Sequence, residues 1–177
     1  MMMVSLGIGT VIAVTLIVVV SIFTGAPVTN GTTQPPNALV GKHVASFSLE
    51  GLKGGTVVAP WKSGHAAVLI FFASWCGPCQ AEMPKVASYL RHHNEGSIEV
   101  IGIDSKDSPA PAKAFVARSG VTFRVAADPN LTVATIFNLA GIPDTAFVTA
   151  KGVVTQIYTG AIPPSKLAKG IAALRAS

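Results

Sequence analysis

The only two cysteines among 177 residues stand two positions apart in Phe72-Ala73-Ser74-Trp75-Cys76-Gly77-Pro78-Cys79-Gln80, and their surroundings constrain the fold more than any other stretch. Before them runs Val68-Leu69-Ile70-Phe71-Phe72, an apolar segment short enough for a buried strand. After them the pattern predicts a helix from Gly77 to about His92, with Pro78 suited to its first turn. The first sulfur therefore falls where a strand feeds a helix. Unpaired backbone N–H groups and the positive end of the helix dipole stabilise a thiolate there. Lowering a thiol pKa by one to two units from about 8.5 requires only about 1.4 to 2.7 kcal/mol. Cys79, one turn further in, is close enough to close a disulfide and shielded enough to act second. The expectation is that Cys76 attacks and Cys79 resolves.

Other uses of such a pair fit less well. With twelve residues between Cys79 and His92 the spacing suggests three quarters of a zinc finger, but the fourth ligand fails: positions 96 to 98 are Gly-Ser-Ile and His93 is too close to His92. No metal site is expected. A haem attachment site needs His directly after Cys79, where Gln80 stands. A purely structural disulfide leaves unexplained both the exposed Gly77-Pro78 dipeptide and its place at a helix start.

Strand, Trp-Cys-Gly-Pro-Cys and helix together resemble the thioredoxin superfamily. Ahead of the redox strand, Val44 to Leu49, Gly54-Gly55 and Thr56 to Val58 read as a hairpin. Such an extra hairpin is similar to that of the membrane-anchored group named for TlpA, ResA and CcmG, as are Glu82-Met83-Pro84 and Gly141-Ile142-Pro143 with Thr145. The pattern further predicts a strand over 98–104, a helix over 111–119, and a strand over 123–126. Asp128-Pro129-Asn130 signals a helix through about Asn138, followed by strands over 146–150 and 153–158 and a last helix from Pro164. The fold implied is α/β, a thioredoxin-like three-layer sandwich with a mixed central sheet and an extra N-terminal β-hairpin. The resemblance covers roughly Ala38 to Ala176.

That resemblance also implies a recognition groove. The proline at the position of Pro143 is cis in these folds and faces the cysteines. Lacking an N–H, it leaves the backbone of Ile142 free to pair with an extended segment of a partner. Trp75, Gly77, Pro78, Ile142 and Pro143 are the expected substrate-binding residues. For Trp75 a core position is the alternative. Trp61 reads as packing, and His43, His65, His92 and His93 as solvated. Thioredoxin has a buried Asp six residues before its first cysteine; Ile70 stands there and accepts no proton. Glu82, three residues after Cys79 on the same helix, matches a Glu beside the active site of ResA-like proteins and is nominated as the base that deprotonates Cys79. The alternative is a solvated Glu favoured by the helix dipole.

Half of the residues are hydrophobic and the mean hydropathy is +0.54, high for a soluble chain. The surplus lies in Val4 to Phe23, twenty uncharged residues that as a helix would span roughly 30 Å, the thickness of a bilayer core. The organisation expected is a transmembrane helix in 1–23, a Pro- and Gly-rich tether in 24–37 and the redox domain in 38–177. A redox-active disulfide favours placing that domain on the extracytoplasmic side of the cell membrane, on a single span. Net charge is +5, but Lys and Arg are scattered, and no basic run suggests nucleic acid.

The function implied by the resemblance is a thiol–disulfide oxidoreductase that needs no cofactor beyond the Cys76–Cys79 disulfide. Its expected partners are cysteine-containing exported proteins and a membrane or extracytoplasmic electron donor, with cytochrome c maturation as a family role. Gly77-Pro78 is the dipeptide of reducing thioredoxins and favours a reductant. Two alternatives share the fold. Sco-type copper chaperones have three residues between their cysteines and a downstream His ligand, whereas no His follows His93. Peroxiredoxin-like peroxidases carry a Thr three residues before the cysteine, where this chain has Ala73.

Overall fold

Ala67–Phe72 forms a strand whose six residues are all buried, as a continuous apolar run between two parallel or mixed neighbours should be. The computed structural model describes residues 37–93 and 95–177. The expected membrane segment and nearly all of the tether lie outside these. Among the described residues no helix is long and apolar enough to cross a membrane.

In chain order the elements are β1 (Ser48–Glu50), β2 (Thr56–Val58), a single 3-10 turn (Pro60–Ser63), β3 (Ala67–Phe72), α1 (Gly77–His92), β4 (Glu99–Ser105) and α2 (Pro109–Arg118). They continue with β5 (Arg124–Asp128), α3 (Thr132–Ile136), β6 (Asp144–Val148), β7 (Val154–Thr159) and α4 (Pro164–Arg175). The main sheet runs in the order β5-β4-β3-β6-β7. β3, β4 and β5 are parallel, while β6 and β7 are antiparallel to their neighbours, so the sheet is mixed. β1 and β2 form the expected separate hairpin. It is fixed to the β5 edge by a Leu52 N–H bond to the Val125 carbonyl, which covers part of an edge strand.

Alternation along β3 divides the core. Val68, Ile70 and Phe72 pack with Met83 and Val86 of α1, Phe115 of α2, and Leu167 and Ile171 of α4. Leu69 and Phe71 face the other way, to Phe47, Val57, Val133 and Phe137. Trp61 packs edge-on to Phe47 and Phe137, the structural role expected of it. At the contact of α4 with the sheet, Gly170 faces the Phe147 ring so closely that a methyl group would overlap it. Gly170→Ala should therefore lower unfolding stability by about 1 to 3 kcal/mol through overpacking. Urea denaturation checks this; an unchanged midpoint would contradict so close a contact.

Several boundaries depart from the expected ones; β1 is confined to Ser48–Glu50 and α2 already starts at Pro109. β5 continues to Asp128, because Asp104 and Ser105 of β4 pair with Ala127 and Asp128. α3 is shorter, ending at Ile136. Leu131 (φ 56°) and Asn138 (φ 49°) hold left-handed conformations on either side of it. The capping signal is nonetheless real: the Asp128 carboxylate accepts the N–H groups of Thr132, Val133 and Ala134. β6 starts two residues early, since Asp144 pairs with both Phe71 and Thr159.

Candidate active site

α1 begins at the carboxyl end of β3, the edge of an open α/β sheet where ligands bind. Cys76 is its N-cap, and the Cys79 N–H donates to the Cys76 Sγ at 3.2 Å. One orphan donor of the helix start is thus aimed at the sulfur that must carry negative charge when reduced. Cys76 and Cys79 form a disulfide with Cα atoms 5.2 Å apart. Cys79 is fully buried and Cys76 is 5% exposed, which gives the outer sulfur the better approach. Ala73, buried in the apolar cluster, brings no hydroxyl to Cys76.

Around the outer sulfur the remaining expected residues divide by burial. Gly77 and Pro78 are exposed. Trp75 is 61% exposed, with its Nε1–H donated to the Lys106 carbonyl at 3.1 Å, so the core position considered for it is not adopted. The Ile142–Pro143 peptide is cis, as the resemblance implied. Its Ile142 carbonyl oxygen lies 3.8 Å from the Cys76 Sγ, while Pro143 is buried beneath it. Trp75, Ser105, Lys106, Leu139 and Ile142 line a mainly apolar pocket of about 160 Å³ beside the disulfide. His43, His65, His92 and His93 are exposed, away from the core, as expected.

Glu82 is 3% exposed, which overturns the alternative of a solvated carboxylate. Its position on α1 explains this: Cys79, Glu82, Met83, Val86 and Ala87 form one buried stripe. Oε1 accepts the Ile162 N–H at 2.7 Å and Oε2 has no partner. Burial pushes the carboxyl up to about 7. The Ile162 N–H opposes the rise, and the charge of Asp144 adds to it. Asp144, unremarked in the sequence, follows Pro143 directly and is buried with its Oδ1 on the Gly160 N–H. Burial raises it to about 6, against the pull of that N–H and the Thr159 hydroxyl. Asp104, also overlooked, is raised to about 7 by burial and then by Asp107.

These three shifts have one sign. Each carboxyl binds its proton more tightly folded than unfolded, so between about pH 4 and 7 the folded chain holds more protons and stability falls as pH rises. The Tm should therefore be several degrees lower at pH 8 than at pH 5. Calorimetry of the oxidised protein checks it, and a flat Tm across that range would contradict the burial of these groups.

Similarity to known proteins agrees with this geometry. Against HelX of Rhodobacter capsulatus, a thiol:disulfide interchange protein, the chain is 30% identical over 145 residues, covering 80% of each. Against the thiol-disulfide oxidoreductase ResA of Halalkalibacterium halodurans it is 26% identical over 123 residues, 70% of each. The solved structure of MTB dsbF superposes with a TM-score of 0.66 at 29% identity, over 72% of this chain and 94% of that one. Residues 40–157, which include Cys76, Cys79, Glu82 and Pro143, match the AhpC/TSA family profile, and the chain belongs to the AhpC/TSA family.

Proposed function

We propose that the chain is an extracytoplasmic protein thiol–disulfide oxidoreductase that reduces disulfides of exported proteins, including cytochrome c precursors. The observation that carries this is Cys76 at a helix start, with a backbone N–H on its sulfur and a disulfide to a fully buried Cys79. The names of the ResA and HelX relatives support the reaction class.

In the reduced protein the Cys76 thiolate attacks one sulfur of a partner disulfide. The Cys76–partner bond forms and the partner's other sulfur leaves as a thiolate. Cys79, deprotonated, then attacks the Cys76 Sγ, releasing the second partner thiolate and closing Cys76–Cys79. The partner gains two electrons and the dithiol loses them; a membrane or extracytoplasmic electron donor restores it. The partner segment lies in extended form across Trp75, Gly77 and Pro78 and against Ile142 and Pro143, whose proline has no competing N–H. Glu82 takes the Cys79 proton. With a carboxyl near 7 it divides between acid and base at neutral pH, the condition for general-base work.

Residues 1–23 serve as the membrane anchor, 24–37 as the tether and 38–177 as the redox domain, on the strength of the uncharged Val4 to Phe23 and the Pro- and Gly-rich stretch behind it. The test of the function is reduction of an oxidised peptide whose two cysteines are two residues apart and followed by His, the haem-attachment pattern. The reduced full chain should reduce it much faster than free dithiothreitol at equal thiol. No acceleration, with this peptide or with other protein disulfides, would overturn the reading.

A further inference from the structure

On the same sheet edge, behind the redox loop, lies a pair of acids that the exchange chemistry above does not use. Asp104, at the end of β4, is 2% exposed, and its Oδ1 has no hydrogen-bond partner. The carboxyl of Asp107, three residues on, adds to the effect of burial in raising that of Asp104. A buried carboxyl beside a second one is favoured in its protonated form. Asp107 is half-buried and receives an N–H on each oxygen, Ser74 on Oδ2 at 2.6 Å and Ser108 on Oδ1 at 2.7 Å. Asp104, buried deeper and offered no N–H, is the protonated one.

This pair holds the redox loop. Ser74 stands two residues before Cys76, and between them Trp75 donates its indole N–H to the Lys106 carbonyl, one residue before Asp107. Two bonds therefore tie the segment entering α1 to the turn leaving β4, where Lys106 holds φ 51°. We propose that Asp104 and Asp107 act as one positioning device, in which protonated Asp104 keeps Asp107 on the Ser74 N–H, and loss of that proton shifts the Ser74-Trp75-Cys76 loop and with it the reactivity of Cys76.

The surroundings leave Asp107 as the leading charge acting on Asp104. On β3 its paired residue is Phe72 and on β5 it is Ala127. Asp128, opposite Ser105, has its carboxylate committed to the N–H groups of α3. Neither α1 nor α2 has an acid in its first turn, Lys106 and Lys113 are exposed, and Glu82 is bonded to Ile162. Burial first, and the charge of Asp107 second, bring Asp104 to about 7, so the device switches near neutral pH. Above that pH two adjacent carboxylates repel and the hold on Ser74 weakens.

The reactivity consequence rests on the function proposed above, but the loop movement does not. The test is Trp emission of the oxidised full chain from pH 5 to 9, where no thiol titrates. A transition centred near pH 7 is expected; it should vanish in Asp104→Asn and in Trp75→Phe, and persist in Glu82→Gln. In the reduced chain, the alkylation rate of Cys76 against pH should lose an inflection near pH 7 in Asp104→Asn. Should that variant fail to fold, Asp107→Asn, which removes the second carboxylate and with it the repulsion, should also abolish the emission transition. A transition that survives in either variant would overturn the proposal, as would an Asp104→Asn effect on Cys76 that is equal at every pH. A chain that shows the transition yet exchanges no disulfides would support the pair while overturning the proposed function.

Discussion

Cys76→Ser should reduce disulfide exchange to the uncatalysed background, and Cys79→Ser should instead accumulate mixed disulfides with partner proteins. The asymmetry follows from the two environments. Cys76 sits at the helix N-terminus, receives the Cys79 N–H and is the sulfur beside the Ile142 carbonyl. Cys79 has no exposed surface, so a partner disulfide cannot approach it until Cys76 has drawn that partner in. With serine at 79 the first bond still forms but nothing displaces the partner from Cys76. The measurement is non-reducing electrophoresis of each full-length variant after expression, followed by identification of the trapped thiols. Trapping through Cys79 alone, or equal alkylation of both thiols at pH 6, would reverse the assignment.

Glu82→Gln should slow partner release by about a hundredfold at pH 7, the low end of what a positioned base contributes, and leave the first attack much less affected. Release requires a thiolate at a fully buried sulfur, whose surroundings favour the neutral thiol. Glu82 is three residues along the same buried helix stripe, with Oε2 unpartnered and therefore free to accept a proton. Glutamine preserves the bond from the Ile162 N–H through its own carbonyl oxygen, so packing is retained and the proton acceptor is removed. Stopped-flow release from a preformed mixed disulfide, across pH 6 to 9, separates the steps. In the unmodified chain the release rate should rise through about pH 7 as Glu82 ionises, and in Glu82→Gln that rise should disappear. An unaltered pH profile would return Glu82 to a structural role.

Much of this is legible in the sequence. The apolar run before Cys76 and the Cys-Gly-Pro-Cys spacing placed β3, α1 and the disulfide together, because a short buried strand and a proline in the first turn leave few other arrangements. The cis bond before Pro143 came only through resemblance, since nothing local in Gly141-Ile142-Pro143 selects it. Glu82 was half legible. The buried stripe at 79, 82, 83, 86 and 87 follows helical periodicity, but an acid near a helix start has an equally good local reason to be solvated. Asp104 and Asp144 escaped because each borders an apolar strand and reads there as its polar boundary. Their burial is tertiary: β4 is covered by β3 and β5, and Asp144 is enclosed between β3 and β7. The short α3 escaped for a related reason, since the left-handed Leu131 and Asn138 that bound it carry no strong sequence signal.

Whether Cys76–Cys79 is a working redox couple or a cross-link is decided most directly by its reduction potential. The full chain is equilibrated in graded dithiothreitol or glutathione buffers and the fraction of free thiols quantified. One reversible two-electron transition is expected between about −270 and −120 mV, near the reducing end in keeping with Gly77-Pro78. A potential below about −300 mV, the range of structural disulfides, or a pair that cannot be cycled reversibly, would contradict it.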